Sequence, residues 1–276
     1  MFLVTGAKGN VGGELVRLLA GAGERVRALI RRDADRSALP AGVEGVVGDL
    51  NQPATLSEAL AGVRGVHLLS GYQDMPGALA EMRRAGVERV VLQSSSAVPG
   101  GDMSNAVARY HILSEAAVRE SGVAWTFLQP DSFMSNTLQW APQLRAEDVV
   151  HAPFAGVRVA TIDPYDVAAV SAAALAGGHE GRSYRLSGPE SLLPADRVSV
   201  LARVLGRDLR FEAQSDADAR AEMSGAMPAQ YVDAFFSFFA DGKLDESEVL
   251  PTVREVTGRH PRTFEQWARA HVDAFR

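Results

Sequence analysis

Short apolar runs recur along the first half of the chain, at Phe2–Thr5, Val26–Ile30, Val43–Val47, Val66–Leu69, Arg89–Gln93 and Trp125–Leu128. Between them lie longer segments with helical spacing, most clearly Val11, Leu15, Leu18, Leu19 and Ala22, a stripe that lays one helix face on a sheet. Strands alternating with amphipathic helices predict an α/β fold built on a mostly parallel, doubly wound sheet. The division expected is a dinucleotide-binding half over residues 1–150 and a substrate lobe over 151–276, with returning elements packed on the sheet. Gly206 to Asp245 reads as the least regular stretch, and Glu255 to Phe275 as a final helix pair.

Composition narrows the class of protein. The 276 residues carry 28 Lys+Arg against 34 Asp+Glu, a formal charge of −6, so there is no bulk positive field for nucleic acid or anionic lipid. No cysteine is present, which excludes thiolate catalysis and cysteine-ligated metal sites. The first residues lack the basic start and long apolar core of a signal peptide, and no apolar run reaches the roughly 18 residues of a membrane span. A cytoplasmic protein, monomer or homodimer, acting on a small molecule is the expectation. Aromatic residues are uneven: three of nineteen precede residue 121. The later rings either fill a core or line a pocket.

The first strand runs into Thr5-Gly6-Ala7-Lys8-Gly9-Asn10-Val11-Gly12-Gly13 and then directly into the helix stripe. Gly6 turns the chain, Gly9 leaves room for a pyrophosphate, Gly12 lets helix and strand pack closely, and free N–H groups at the helix start face the anion. Strand, glycine turn and helix in that order make a dinucleotide site of Thr5, Gly6, Lys8, Gly9, Asn10, Val11 and Gly12. The spacing Gly-x-x-Gly-x-x-Gly, preceded by Thr, resembles the short-chain dehydrogenase/reductase superfamily. Gly48-Asp49-Leu50, Ser94-Ser95-Ser96, His111-x-x-x-Glu115, the run Ser121 to Pro130 followed by Phe133 and Asn136, and the ending Val256 to Phe264 are similar to its NmrA-like atypical branch, including quinone-oxidoreductase-like bacterial members. The resemblance implies that Asp49 and Leu50 border the adenine, that Ser70 and Gly71 approach the nearer ribose and pyrophosphate, and that Ser94 also belongs to the cofactor site.

At the end of the second strand, where an NAD site usually places an acidic residue, the sequence reads Leu29-Ile30-Arg31-Arg32. Two guanidinium groups there suit the 2′-phosphate of NADP(H). The competing reading is a solvated edge with Asp33, Asp35 and Arg36, in which Asp33 takes the ribose.

Typical members of the superfamily use Tyr-x-x-x-Lys, the lysine lowering the tyrosine pKa for proton exchange with a carbonyl. Here the lysine place falls on His111 and the tyrosine place on Val107, so the usual alcohol-dehydrogenase chemistry is not expected. Tyr110 lies one residue out of register, about 100° around a helix. Quinones, imines and conjugated cations accept a hydride without a strong acid. The expected activity is therefore an NADPH-dependent reductase of a small conjugated acceptor, with His111 orienting ribose or relaying a proton and Ser95 bonding the acceptor. Pro130 and Phe133 would flank the nicotinamide, and Tyr72, Gln73, Phe133, Asn136 and Trp140 would wall the substrate pocket. Tyr231, Phe235, Phe238 and Phe239 form a helical stripe that serves either as core or as further wall. No metal site is expected. The alternative is a redox-sensing regulatory protein that binds NAD(P) without turnover.

Overall fold

The computed structural model describes all 276 residues. The first half runs β1 (Phe2–Val4), α1 (Asn10–Gly21), β2 (Val26–Ile30), β3 (Glu44–Val47), α2 (Ser57–Leu60), β4 (Gly65–Leu69), α3 (Met75–Arg84), β5 (Arg89–Gln93), α4 (Ala106–Glu120) and β6 (Ala124–Pro130). After 3₁₀ turns over Met134–Trp140 come α5 (Ala141–Ala146), β7 (Val149–Ala152), α6 (Pro164–Ala176), β8 (Arg182–Leu186), α7 (Pro194–Leu205), β9 (Arg210–Ala213), α8 (Asp216–Ala226), α9 (Ala229–Phe239), α10 (Thr252–Thr257) and α11 (Phe264–Ala270). Seven strands form one sheet in the order β3-β2-β1-β4-β5-β6-β8, every pairing parallel. The doubly wound fold expected from the alternation of strands and helices is the fold observed.

Both sheet faces are buried. Alternation along each strand sends side chains to opposite faces: Phe2 and Val4 join Leu15, Val16 and Leu19 of α1 and Val170 and Ala174 of α6, whereas Leu3, Val66 and Leu68 join Leu79 and Met82 of α3. A third core lies off the sheet, where Trp140, Leu144, Val150, Leu201, Phe264 and Trp267 pack together. It supports a two-stranded parallel sheet of β7 and β9. The chain thus leaves the large sheet after β6, builds β7, returns for β8 and leaves again for β9.

The stretch Gly206 to Asp245 is more regular than its sequence suggests, holding β9, α8 and α9. In β9 no side chain is fully buried, and in α8 only Ala219 is, so neither segment carries a strong apolar stripe. The terminal helix pair is present as α10 and α11.

No helix is long and apolar enough to cross a membrane.

Candidate active site

The strand order diverges on either side of β1, whose neighbours are β2 and β4, and the crevice beyond their C-terminal ends is the ligand-binding position of such sheets. The glycine turn sits there. Gly6 adopts φ +62°, and a Cβ at Gly12 would lie 2.2 Å from the Gly6 carbonyl oxygen, so α1 rests directly on the turn. At Gly9 the nearest protein atom to a Cβ would be that same oxygen at 3.2 Å, leaving its other side open. Gly9 is also the N-cap of α1 and supplies no side-chain cap, so the first N–H groups of the helix keep their capacity for an anion. This cradle fits a pyrophosphate.

Around the end of β2 the cations gather. Lys8 Nζ donates to Asp35 Oδ1 at 2.7 Å, and Arg32 reaches the same oxygen at 3.4 Å. Hydrogen bonds from Lys8 hold the Asp35 carboxyl below the usual carboxylate range. Arg31 is exposed and close enough to bear on the Tyr72 phenol. Arg36 pairs with Asp33 and donates to the Gly45 carbonyl, so both ion pairs of the solvated edge, Arg32–Asp35 and Arg36–Asp33, are present, and Arg31 stands outside them.

Several expected cofactor residues are committed elsewhere through their side chains. The Thr5 hydroxyl accepts from Leu69 N–H at 3.1 Å, and Ser70 Oγ donates to the Gln93 carbonyl at 2.9 Å, tying the strand ends together. Ser94 Oγ donates to buried Glu115 at 2.6 Å, which also receives Gln129 and Arg119. Gly71, at φ +93°, donates its N–H to Ser114 and faces the Tyr110 ring. Asp49 accepts from Asn51 N–H, and Leu50 is buried beneath it in the core.

His111 lies on α4 with its ring centroid 4.1 Å from that of Tyr110. Its Nδ1 is buried and unpartnered, and burial pushes the imidazole down to about 4, well below the ordinary histidine value near which the sequence alone would place it. It is neutral at physiological pH. Ser95 Oγ accepts from Ala97 N–H at 3.2 Å and is only partly buried.

A cavity of about 590 Å³ opens beyond the turn, with Phe133, Asn136 and Trp140 in its wall. Tyr72 and Gln73, expected beside Phe133, Asn136 and Trp140, are not in that wall. Tyr72 turns back toward Thr5, Arg31 and Asp49, and Gln73 N–H donates to Asn51 Oδ1, so both face away from the cavity. Strand-end adjacency to Gly71 fixes their position but not their direction. The α9 stripe divides: Phe235 and Phe239 line the cavity, while Phe238 is core. Sequence reasoning missed Phe154, Met223, Met227, His151 and Arg197, which complete the wall from the second half of the chain. Phe154 carries a signal visible only in three dimensions, a positive φ of 56° that presents its ring to Phe236 and Phe239. Turn and cavity are joined by one contact, Asn10 Nδ2 donating to Ser135 Oγ at 3.0 Å, with Ser135 in the cavity wall.

A parallel sheet with an uncapped glycine turn at its switch point is the arrangement of a dinucleotide-binding protein, and the NAD(P)H-binding family profile matches residues 6–177. The chain belongs to that family. It is 42% identical to the (4-alkanoyl-5-oxo-2,5-dihydrofuran-3-yl)methyl phosphate reductase of Streptomyces griseus, over 100% of this chain and 99% of the relative. It is 36% identical to the NAD(P)H azoreductase of Xenophilus azovorans, again over 100% and 99%. Among solved structures, the NADPH-dependent quinone oxidoreductase QOR2 of Escherichia coli superposes with a TM-score of 0.81 at 24% identity, covering 99% of this chain and 100% of that one. The NmrA-like, quinone-oxidoreductase-like resemblance therefore holds at the level of the fold, within the NAD(P)H-binding family.

Proposed function

We propose that the protein is an NADPH-dependent reductase of small, flat, conjugated acceptors such as quinones or imines. The observation that carries this reading is the cavity of about 590 Å³, walled by Phe133, Trp140, Phe235 and Phe239 and joined to the dinucleotide turn through Asn10 and Ser135. Its size suits one small ligand. Two relatives point the same way: one is named for reducing a furanone that bears a phosphate ester, the other for azo compounds.

When bound, the nicotinamide supplies a hydride. The protein's part is to hold and to exclude. The turn from Gly6 to Gly12 and the N–H groups of Asn10 and Val11 take the pyrophosphate, and Arg31, Arg32 and Lys8 meet the 2′-phosphate, with Asp35 giving way. Asp49 and Tyr72 border the adenine above buried Leu50, while Ser70, Gly71 and Ser94 stiffen the strand ends beneath the ribose. Pro130 and Phe133 flank the nicotinamide, and the aromatic walls keep water from the acceptor. Val107 and His111 stand where the superfamily has tyrosine and lysine, so no phenol of lowered pKa serves as acid. Neutral His111 orients the ribose by a hydrogen bond, and Ser95 offers a hydroxyl to the acceptor oxygen.

The test is sustained NADPH oxidation with a panel of quinones, imines and azo compounds. Multiple turnovers on at least one acceptor are expected. Tight NADPH binding with no oxidation of any of them would overturn the reading in favour of binding without turnover.

A further inference from the structure

Four arginines have a buried Nε without a hydrogen-bond partner: Arg27, Arg89, Arg185 and Arg197. Three use their other nitrogens. Arg27 donates to three backbone carbonyls and to Glu44, Arg89 to the Leu175 carbonyl and to Glu88, and Arg185 faces Asp131 and Glu248. The Arg197 guanidinium alone forms no hydrogen bond and no ion pair. Desolvation is the sole influence on its guanidinium and pushes its pKa down to about 10, so it stays charged at neutral pH.

Arg197 sits in the first turns of α7, with its guanidinium carbon 5.0 Å from the centre of the buried Trp140 ring, and it lines the acceptor cavity. The one carboxylate of that wall, Glu222, accepts from Gln214 at 2.7 Å and forms no ion pair with Arg197, and His151 lies 3.6 Å from Glu212. A half-buried cation without a counter-charge, its Nε unpartnered and its terminal nitrogens left for the cavity, is costly, and a site of this kind is neutralised by what enters it. The planar fork of donors suits the two oxygens of a carboxylate or phosphate.

We infer that Arg197 is the specificity residue for an oxyanion group, a phosphate ester or a carboxylate, carried by the acceptor at the end of its conjugated system. The inference deepens the reductase reading and rests on it only for the turnover measurement. The aromatic wall takes the flat ring and Arg197 takes the charged substituent. Trp140, beneath the guanidinium, serves as an optical reporter.

Binding is read from tryptophan fluorescence during titration with phenyl phosphate, benzoate and benzyl alcohol. Phenyl phosphate or benzoate is expected to bind more tightly than benzyl alcohol by about ten- to a hundredfold, the range of one charge-assisted contact. Comparison of the two anions tells which oxyanion is preferred. Arg197→Met keeps an apolar stem over Trp140 and should abolish the preference, and Arg197→Lys should restore part of it. NADPH titration checks that both variants remain folded. In turnover, the ratio of kcat/KM for a quinone bearing a phosphate ester or carboxylate to that for its neutral parent should collapse by the same factor in Arg197→Met, chiefly through KM. Equal binding of all three probes, or a preference that survives Arg197→Met, would overturn the inference. Arg197-dependent anion binding in a protein that reduces no acceptor would support the site and remove the reductase reading; reduction without any anion preference would do the reverse.

Discussion

Three neighbouring glycines of the turn separate packing from ligand binding. At Gly12 an added Cβ would meet backbone, 2.2 Å from the Gly6 carbonyl oxygen and 2.6 Å from its carbon, and backbone cannot rotate aside. At Gly13, one residue on in the same helix, the nearest atom would be the Ala7 carbonyl oxygen at 3.5 Å, an ordinary contact. Alanine favours a helix over glycine by about 1 kcal/mol at either position. Gly13→Ala should therefore gain up to about 1 kcal/mol, whereas Gly12→Ala sets that gain against an overpacking cost of about 1–3 kcal/mol and should lose stability. Each kcal/mol moves Tm by about 2–4 °C in a chain of this size. Gly9→Val is different again, because its backbone at φ −82° suits any residue, its Cβ asks the Gly6 carbonyl oxygen at 3.2 Å to give by only a few tenths of an ångström, and the open side of the turn is the space proposed for pyrophosphate. Thermal melts paired with NADPH fluorescence titration should show three patterns: Gly13→Ala more stable and binding, Gly9→Val near-native in stability and not binding, Gly12→Ala weakened in both. A Gly12→Ala protein that melts and binds like the parent, or a Gly9→Val protein with unchanged NADPH affinity, would refute the assignment of the turn.

Replacing Arg31 and Arg32 together by Ala should lower NADPH affinity by about ten- to a hundredfold while leaving NADH nearly unaffected; an unchanged ratio in paired titrations removes these arginines from the 2′-phosphate. His111→Ala should lose less than the roughly 10⁴-fold in kcat that marks an indispensable acid and should raise the cofactor KM. Because burial holds His111 at about 4, the kcat profile should show no histidine inflection between pH 6 and 8, and a clear one would count against a neutral role. Burial, with Glu246 nearby, raises the Asp131 carboxyl to about 8, so above its unfolded value the folded state holds a proton that the unfolded state has lost, and stability falls as pH rises toward 8. His67 and His111, both lowered to about 4, act in the opposite sense only up to about pH 6.5. Between pH 6.5 and 8 the decline should be at most about 1.4 kcal/mol per pH unit for one proton and should flatten in Asp131→Asn; an equal decline in both proteins in urea melts rejects the assignment.

What the sequence made legible follows from how locally each feature is encoded. Strands β1 to β6 were readable because they are compact apolar runs between helices, and the turn because its glycines lie within one short segment. The edge strand β8 was not, since Arg182-Ser183-Tyr184-Arg185-Leu186 is largely exposed until Leu186 and reads as polar. Helix α8 announces itself only by its cap, Ser215 accepting from Asp218 N–H, with a single buried alanine to stripe it. Phe133, Asn136 and Trp140 were within reach because they follow the sixth strand directly. Arg197 was not, because an arginine three residues after Pro194 in a helix looks solvated, and only the lobe folded against Trp140 buries its Nε without a partner.

The route of the chain, out to β7, back to β8 and out again to β9, has a consequence for how such proteins can be recombined. The wall of the cavity comes from two separate stretches, one from Ser132 to Thr161 and one from Pro194 onward, while between them α6 packs on α1 and β8 zips onto β6 from Thr126↔Arg182 to Pro130↔Leu186. A chimaera that moves one relative's acceptor preference onto another's dinucleotide half must therefore exchange two cassettes and leave the α6–β8 bridge in place. A single crossover near residue 150 would graft a foreign strand onto the edge of β6. On the ribosome, likewise, that edge stays open until Leu186 has emerged, so the nucleotide half cannot finish its sheet before the first wall of the acceptor cavity has been made.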